Sequence, residues 1–436
     1  MTTAALMFPA LFALILLGLP VAFSLVLVSV GAGLVAFGPV GFNQLYGSFY
    51  SASTNFILSA IPMFILMGAL LERSGIAERL FRVMNMWLGR LPGGLALATI
   101  AMGAVFAAAA GVVGAVEVMI GMMAIPAMQR ARYSNTLIAG TICAGGSLGT
   151  MIPPSVIAVM YASLAQMSVG KLLAGMMLPG LMMVVLFLGY IALQGFLFPP
   201  EPHADDEPQE SLSLGEKLWA TVTTLLPVFL LIFAVLGSIL GGIASPTEAA
   251  AVGAAGALVL CIVNRQFNFQ VLKESLAITV RISAMILLIV AAGTMFMGVF
   301  AANGGASLIR DFIDGAGLGT TGMIVFFLLV VFVLGFVLDW TANVLICVPL
   351  FTPFIRSSGV DPIWFATLVL IVIQTGYLTP PMASSIFYLK SIAPPDMSYG
   401  QMCRGVLPFI ALQVLTLLLI VFFPDLATWL PEKLTQ

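Results

Sequence analysis

Residues 146–155 read GSLGTMIPPS, and residues 374–382 read QTGYLTPPM. In each a glycine stands four positions before a Pro-Pro pair: Gly149 before Pro153-Pro154, and Gly376 before Pro380-Pro381. Proline lacks the N–H and clashes with the preceding turn, and it pushes the residue before it out of the α region. A helix therefore cannot pass regularly through either stretch. Yet both stretches lie inside apolar runs that would cross a bilayer. Interrupted backbone at membrane depth persists only where protein buries it or where it lines a cavity. Two such interruptions at corresponding places in two halves of a chain are a pointer to a carrier's binding site.

The composition around them agrees. Of the 436 residues, 61% are hydrophobic and 8% charged, and the mean hydropathy is +1.14. This excludes a soluble globular domain and predicts a polytopic all-α membrane protein in a lipid bilayer. The continuous apolar runs also exclude a β-barrel, whose strands alternate. A net charge of −2 argues against a nucleic-acid partner. Cys143, Cys261, Cys347 and Cys403 show no metal or pairing spacing, and His203, the sole histidine, sits in an acidic stretch. No cofactor site and no catalytic set emerge, so an enzyme is not indicated. The N-terminus lacks a basic region and a small-residue cleavage site and reads as a retained first helix.

The chain divides into a first half, 1–200, an acidic linker, 201–217, and a second half, 218–436. Residues 38–55 read as a polar, aromatic loop. Arg79 and Arg82 interleaved with Phe81, Met84 and Trp87 predict an interfacial helix over 72–93. Residues 94–128 carry one charge, Glu117. As one helix they would reach roughly 50 Å, well beyond a hydrocarbon core of about 30 Å, so a re-entrant hairpin turning near Gly111 to Gly114 is expected. The first broken helix follows at 137–166. In the second half, Ser245-Pro246-Thr247-Glu248 is a capping box, which accounts for that motif structurally. A second interfacial helix is expected at 264–282, a second hairpin at about 330–355 and a second broken helix at 364–389. MSVGKLLAG (167–175) is echoed by MSYGQMCRG (397–405), and Glu117 and Asp339 stand nine and ten residues before Pro126 and Pro349. The halves thus read as repeats, inverted if each holds an odd number of crossings.

Ionisable groups inside spans are functional candidates, here Glu117 and Asp339, the latter beside Trp340, Thr341 and Asn343. Freed carbonyls at a broken helix suit a hard cation, and the half-helix N-termini beyond it suit an anion. Pro153, Pro154, Pro380 and Pro381 with the two hairpin tips (Gly111, Gly114, Thr341, Asn343) are expected to flank one cavity.

With IPMFILMGALLERSGI (61–76), GSLGTMIPPS, GGIASPTEAAAV, D-W-T at 339–341 with Pro349 and Pro353, and GYLTPPMASSIF (376–387), the chain resembles the large membrane subunit of tripartite ATP-independent periplasmic (TRAP) transporters. The resemblance runs through nearly the whole length. It implies a multi-pass protein of the bacterial inner membrane and Na⁺-coupled import of an organic anion, usually a carboxylate. It implies an elevator mechanism with a scaffold and a moving transport domain. The partners implied are a small four-helix membrane subunit and a periplasmic substrate-binding protein. The family's cation pattern falls here on Gly335, Asp339, Gly376 and Thr379, with the Met382 carbonyl beyond, and in the first half on Gly149 and Thr150. Thr150 and Pro153 would also face substrate. Ile152 stands where a symmetric pattern would place a threonine. A carrier that works without a binding protein, and a non-transporting assembly subunit, remain the competing readings.

Overall fold

The computed structural model describes residues 2–111, 113–197, 213–381 and 383–434. Among these, the chain is helical, and seven segments are long and apolar enough to cross a bilayer. Helices α1 (Thr2–Leu16) and α2 (Val21–Phe37) meet near Pro20. Residues 38–55, expected as a loop, hold α3 (Gly41–Ser53) instead. Leu45 anchors it, and Tyr46 and Tyr50 stack one turn apart with ring centroids separated by 6.1 Å. That is the i,i+4 contact a helix provides. After α4 (Ala60–Arg73), the amphipathic α5 (Ile76–Leu88) buries Ile76, Ala77, Leu80 and Val83 and exposes Arg79 and Arg82.

The 94–128 run folds back on itself as α6 (Gly94–Ala110) and α7 (Val113–Arg130). Gly111 ends α6 at φ 62°, a left-handed conformation that glycine takes without steric cost. The first break separates α8 (Asn135–Ser147) from α9 (Val156–Leu164), and α10 (Val169–Leu197) closes the half.

The second half opens earlier than the composition suggested. Ser213 and Glu216 form a capping box, so α11 (Leu214–Leu240) starts inside the stretch read as linker; residues 201–212 lie outside the described residues. The Ser245–Glu248 box caps α12 (Pro246–Val263) as expected. Residues 264–282 are not a separate interfacial helix. From Phe269 they run without interruption into a 34-residue α13 (Phe269–Ala302), because no glycine or proline lies between the amphipathic stretch and the span. The short amphipathic helix of this half is α14 (Gly305–Gly315). The second hairpin is α15 (Thr320–Leu334) and α16 (Trp340–Ser357), so its first arm begins ten residues before the expected 330. The second break separates α17 (Pro362–Leu378) from α18 (Ser384–Lys390); α19 (Tyr399–Phe422) and α20 (Asp425–Lys433) complete the chain.

Two groups of helices result. One packs α2, α3 and α4 against α13, with α12 on α4. The other holds the hairpins and broken helices, and here the halves exchange contacts. Helix α9 packs on α16 and α18 on α7; α10 packs on α17 and α19 on α8. The α8–α19 crossing is close: a Cβ built on Gly405 would lie 2.1 Å from the Thr136 carbonyl oxygen, and one on Gly140 would lie 2.1 Å from that of Gly405. Small residues give this backbone approach where lipid supplies no hydrophobic drive between helices. The repeated M-S-x-G is a helix start. Ser168 Oγ accepts from Lys171 N at 3.4 Å, and Ser398 forms a capping box with Gln401.

Candidate functional site

The two breaks meet. Gln374 Nε2 donates to the Ser147 carbonyl oxygen at 3.1 Å and lies 3.3 Å from Ser147 Oγ, with both residues buried. Each stands two positions before the glycine of its motif, so equivalent points of the repeats touch. Both Pro-Pro bonds are cis.

In the first break, Leu148–Thr150 tighten into a 3-10 turn. Thr150 Oγ1 donates to the Ser147 carbonyl at 2.8 Å, and the Thr150 carbonyl accepts from Ser155 Oγ at 2.9 Å. Gly149, Thr150, Pro153 and Pro154 are buried. The first hairpin's tip lies against this break: a Cβ on Gly111 would sit 3.0 Å from the Pro154 carbonyl oxygen. Gly114 instead faces α18, where a Cβ would come within 2.7 Å of the Tyr388 ring. Pro153 also lines an apolar cavity of about 460 Å³ between Ala104 and Ala108 of α6, Met177 of α10 and Phe229 and Leu236 of α11.

The second break carries the polar cavity. A space of about 10 Å³, roughly enough for one water-sized body, lies among Gly335, Leu338, Asn343, Gly376, Tyr377 and Ser384. A Cβ on Gly376 would meet the Gly335 Cα at 3.6 Å, so hairpin tip and break face each other through bare backbone. Asn343 Nδ2 donates to the Val331 carbonyl at 2.9 Å, and its Oδ1 accepts from Cys347 Sγ at 3.2 Å. Thr341 Oγ1 is buried without a hydrogen-bond partner, as is Gln374 Oε1. Such atoms are costly unless a ligand or water satisfies them. Thr379 Oγ1 donates to the Thr375 carbonyl at 2.6 Å, leaving its lone pairs free. Pro380 is half-buried and Pro381 exposed. Met382 lies outside the described residues.

The two acids differ in setting. Asp339 is half-buried and caps α16, its Oδ2 accepting from Thr341 N at 3.1 Å. Glu117 is fully buried. Its Oε2 accepts from Tyr377 Oη at 3.1 Å and its Oε1 from Ser385 Oγ at 2.5 Å. The two are not counterparts in the repeat. Counted from the helix starts, Pro126 and Pro353 are both fourteenth in α7 and α16, which sets Val344, not Asp339, opposite Glu117. The proline of α16 equivalent to Pro126 is Pro353, not Pro349. Ser147, Gln374, Tyr377 and Ser385 were missed as site residues, although hydroxyl and amide groups flanking both breaks inside apolar runs were visible.

Paired hairpins, paired broken helices and a contact between their breaks define a polytopic membrane permease built on an internal repeat. Residues 8–426 match the family model described as tripartite ATP-independent periplasmic transporter, DctM component, and the chain belongs to that family. It is 30% identical over 404 residues to a C4-dicarboxylate TRAP transporter large permease protein of Pseudomonas aeruginosa, covering 92% of each chain. It is also 30% identical over 443 residues to the ectoine TRAP transporter large permease protein TeaC of Halomonas elongata, covering 99% of each. Among solved structures, the Alcanivorax borkumensis YdaH transporter shares the fold at a TM-score of 0.60 and 16% identity, covering 90% of this chain and 91% of that one.

Proposed function

We propose that this chain imports an organic anion, a carboxylate-bearing solute, in symport with Na⁺. The anion is handed over by a periplasmic binding protein, and a small four-helix membrane subunit completes the complex. The permease moves by an elevator motion of the hairpin and broken-helix group against the α2–α4, α12 and α13 group.

One observation carries the reading: the small polar cavity where Gly335 of the second hairpin tip faces Gly376 of the second break. Backbone carbonyls at such a junction are hard oxygen donors, the Gly376 carbonyl keeping a second lone pair beside the bond it accepts from Thr379 N at 3.2 Å, and the space admits one small ion rather than an organic molecule. Gly335 and Gly376, which line the space, and Thr379 at the end of the same helix are the proposed ligands, with Asp339 supporting by charge. Gly149 and Thr150 are the weaker first-half set, since Ile152 stands before Pro153 where Thr379 stands before Pro380. The anion is assigned to the region where the breaks meet, near Gly111, Gly114, Thr150, Pro153, Pro154, Thr341, Asn343, Pro380 and Pro381. There the N–H groups opening α9 supply a favourable dipole end. C4-dicarboxylates and ectoine, named for the two relatives, are the first solutes to try.

The test is uptake into proteoliposomes holding this chain and its small subunit, with a purified binding protein outside. Uptake should require both an inward Na⁺ gradient and the binding protein. Equal uptake with choline in place of Na⁺ would sink the coupling. Na⁺-driven uptake without the binding protein would favour the self-sufficient carrier.

A further inference from the structure

Glu117 comes from the first hairpin but bonds to the second break. Its two oxygens are taken by Tyr377, four residues before Pro381, and by Ser385, four residues after it. One carboxylate therefore spans the Pro-Pro interruption and pins both flanks to α7. The fit is built in: a Cβ on Gly146 would lie 1.9 Å from Glu117 Cγ, so the side chain fills the groove left by a bare glycine of α8. Tyr377 also lines the small polar cavity beside Gly376. The arrangement has no counterpart in the other direction. The positions equivalent to Glu117, Tyr377 and Ser385 are Val344, Thr150 and Ala158; Val344 and Ala158 are buried and apolar. An acid buried at one place only, against the symmetry of the repeat, calls for a role in the second break alone.

We infer that Glu117 is a positioning residue that latches the second break closed from the first hairpin, so that the cation site beside Gly376 keeps its shape only while the first hairpin is docked. A carboxylate suits this because it accepts two hydroxyl bonds at once, whereas a glutamine offers a single acceptor oxygen. The cation-site part of the inference rests on the Na⁺-coupled reading above; the latch itself does not.

The test is amide hydrogen exchange by mass spectrometry on the full chain in nanodiscs, with Glu117→Gln and Glu117→Leu. In Glu117→Leu, amides of 383–390 should exchange at least tenfold faster while those of 148–158 keep their wild-type rate, and Glu117→Gln should fall between. Equal loosening of both breaks would mean a merely structural role, and no change in 383–390 would mean no latch; either overturns the inference. Should the leucine variant fail to purify, Ser385→Ala and Tyr377→Phe remove the donors from the other side. Each should loosen 383–390 in part, and combining Ser385→Ala with Glu117→Gln should add little to the larger single effect; full additivity would refute the shared contact. In uptake, Glu117→Gln should raise the Na⁺ concentration for half-maximal rate several-fold with a smaller change in maximal rate. Na⁺-independent uptake by the wild-type protein would end the coupling reading, while the exchange contrast between the breaks would still decide the latch.

Discussion

Replacing Gly405 by alanine probes the crossing that ties the halves together. The added Cβ would stand 2.1 Å from the Thr136 carbonyl oxygen and 2.9 Å from Gly140 N, all backbone atoms that no side-chain rotation can clear. Ordinary contact needs about 1 Å more, so α8 and α19 must part. Overpacking of this kind costs about 1–3 kcal/mol. Gly400, near the start of the same helix, is the internal control. Nothing lies within 4 Å of its Cβ position, and alanine there should gain about 0.5–1 kcal/mol of helix stability. The same substitution five residues apart should thus differ by roughly 1.5–4 kcal/mol. Denaturant titration in mixed micelles reads it, followed by circular dichroism and by Trp364, whose indole N–H donates to the Ile420 carbonyl at 2.9 Å and so reports on α17 against α19. Gly405→Ala variants that unfold at the same denaturant concentration as Gly400→Ala would refute the backbone crossing.

Asp339→Asn separates charge from capping, since asparagine caps a helix about as well as aspartate; stability should hold within about 0.5 kcal/mol while Na⁺-driven uptake falls, and wild-type uptake would leave Asp339 a cap alone. Thr379→Val keeps shape and deletes the hydroxyl that donates to Thr375. The Na⁺ concentration for half-maximal uptake should rise, and an unchanged value would remove this hydroxyl from the ligand set. Arg356→Gln deletes charged hydrogen bonds to the Ala165 and Gln166 carbonyls at 2.6 and 3.1 Å. It should cost about 1.5–3 kcal/mol in the same denaturant titration, and a neutral result would show that the tie between the second hairpin and the end of α9 is dispensable.

The sequence made the architecture legible wherever one chemical constraint acted locally. Pro-Pro pairs cannot continue a helix, a 35-residue apolar run cannot be one crossing, and Ser-x-x-Glu opens a helix; each appears in the structure where the residues required it. The misreadings came from judging polarity without periodicity. Asn43, Gln44 and Ser48 made 41–53 look like a loop, although Leu45 and the Tyr46–Tyr50 pair keep helical spacing. The amphipathic pattern over 264–282 marks a face but not an end, since a helix end takes a breaker and none follows Phe269 before Gly293.

The site was less legible because its decisive contacts join residues far apart in sequence, and the repeat conceals rather than reveals them. Glu117 and Asp339 stand at similar distances before a proline, which reads in sequence as a symmetry between two acids. Helix position dissolves it: one acid caps a helix end and the other is buried against two hydroxyls from the opposite half. The exchange of contacts explains why. Each hairpin tip faces the break of its own half, Gly111 at Pro154 and Gly335 at Gly376, but α9 also lies on α16 and α18 on α7, so part of each site comes from residues of the other half that no local motif describes. Symmetry fixes where the backbone breaks, while single departures from it, Glu117 against Val344 and Tyr377 against Thr150, fix how each break behaves. A carrier whose halves were chemically identical would hold both breaks equally. Here the polar cavity and the carboxylate both sit at the second break, and the first is closed by its own Thr150 and Ser155.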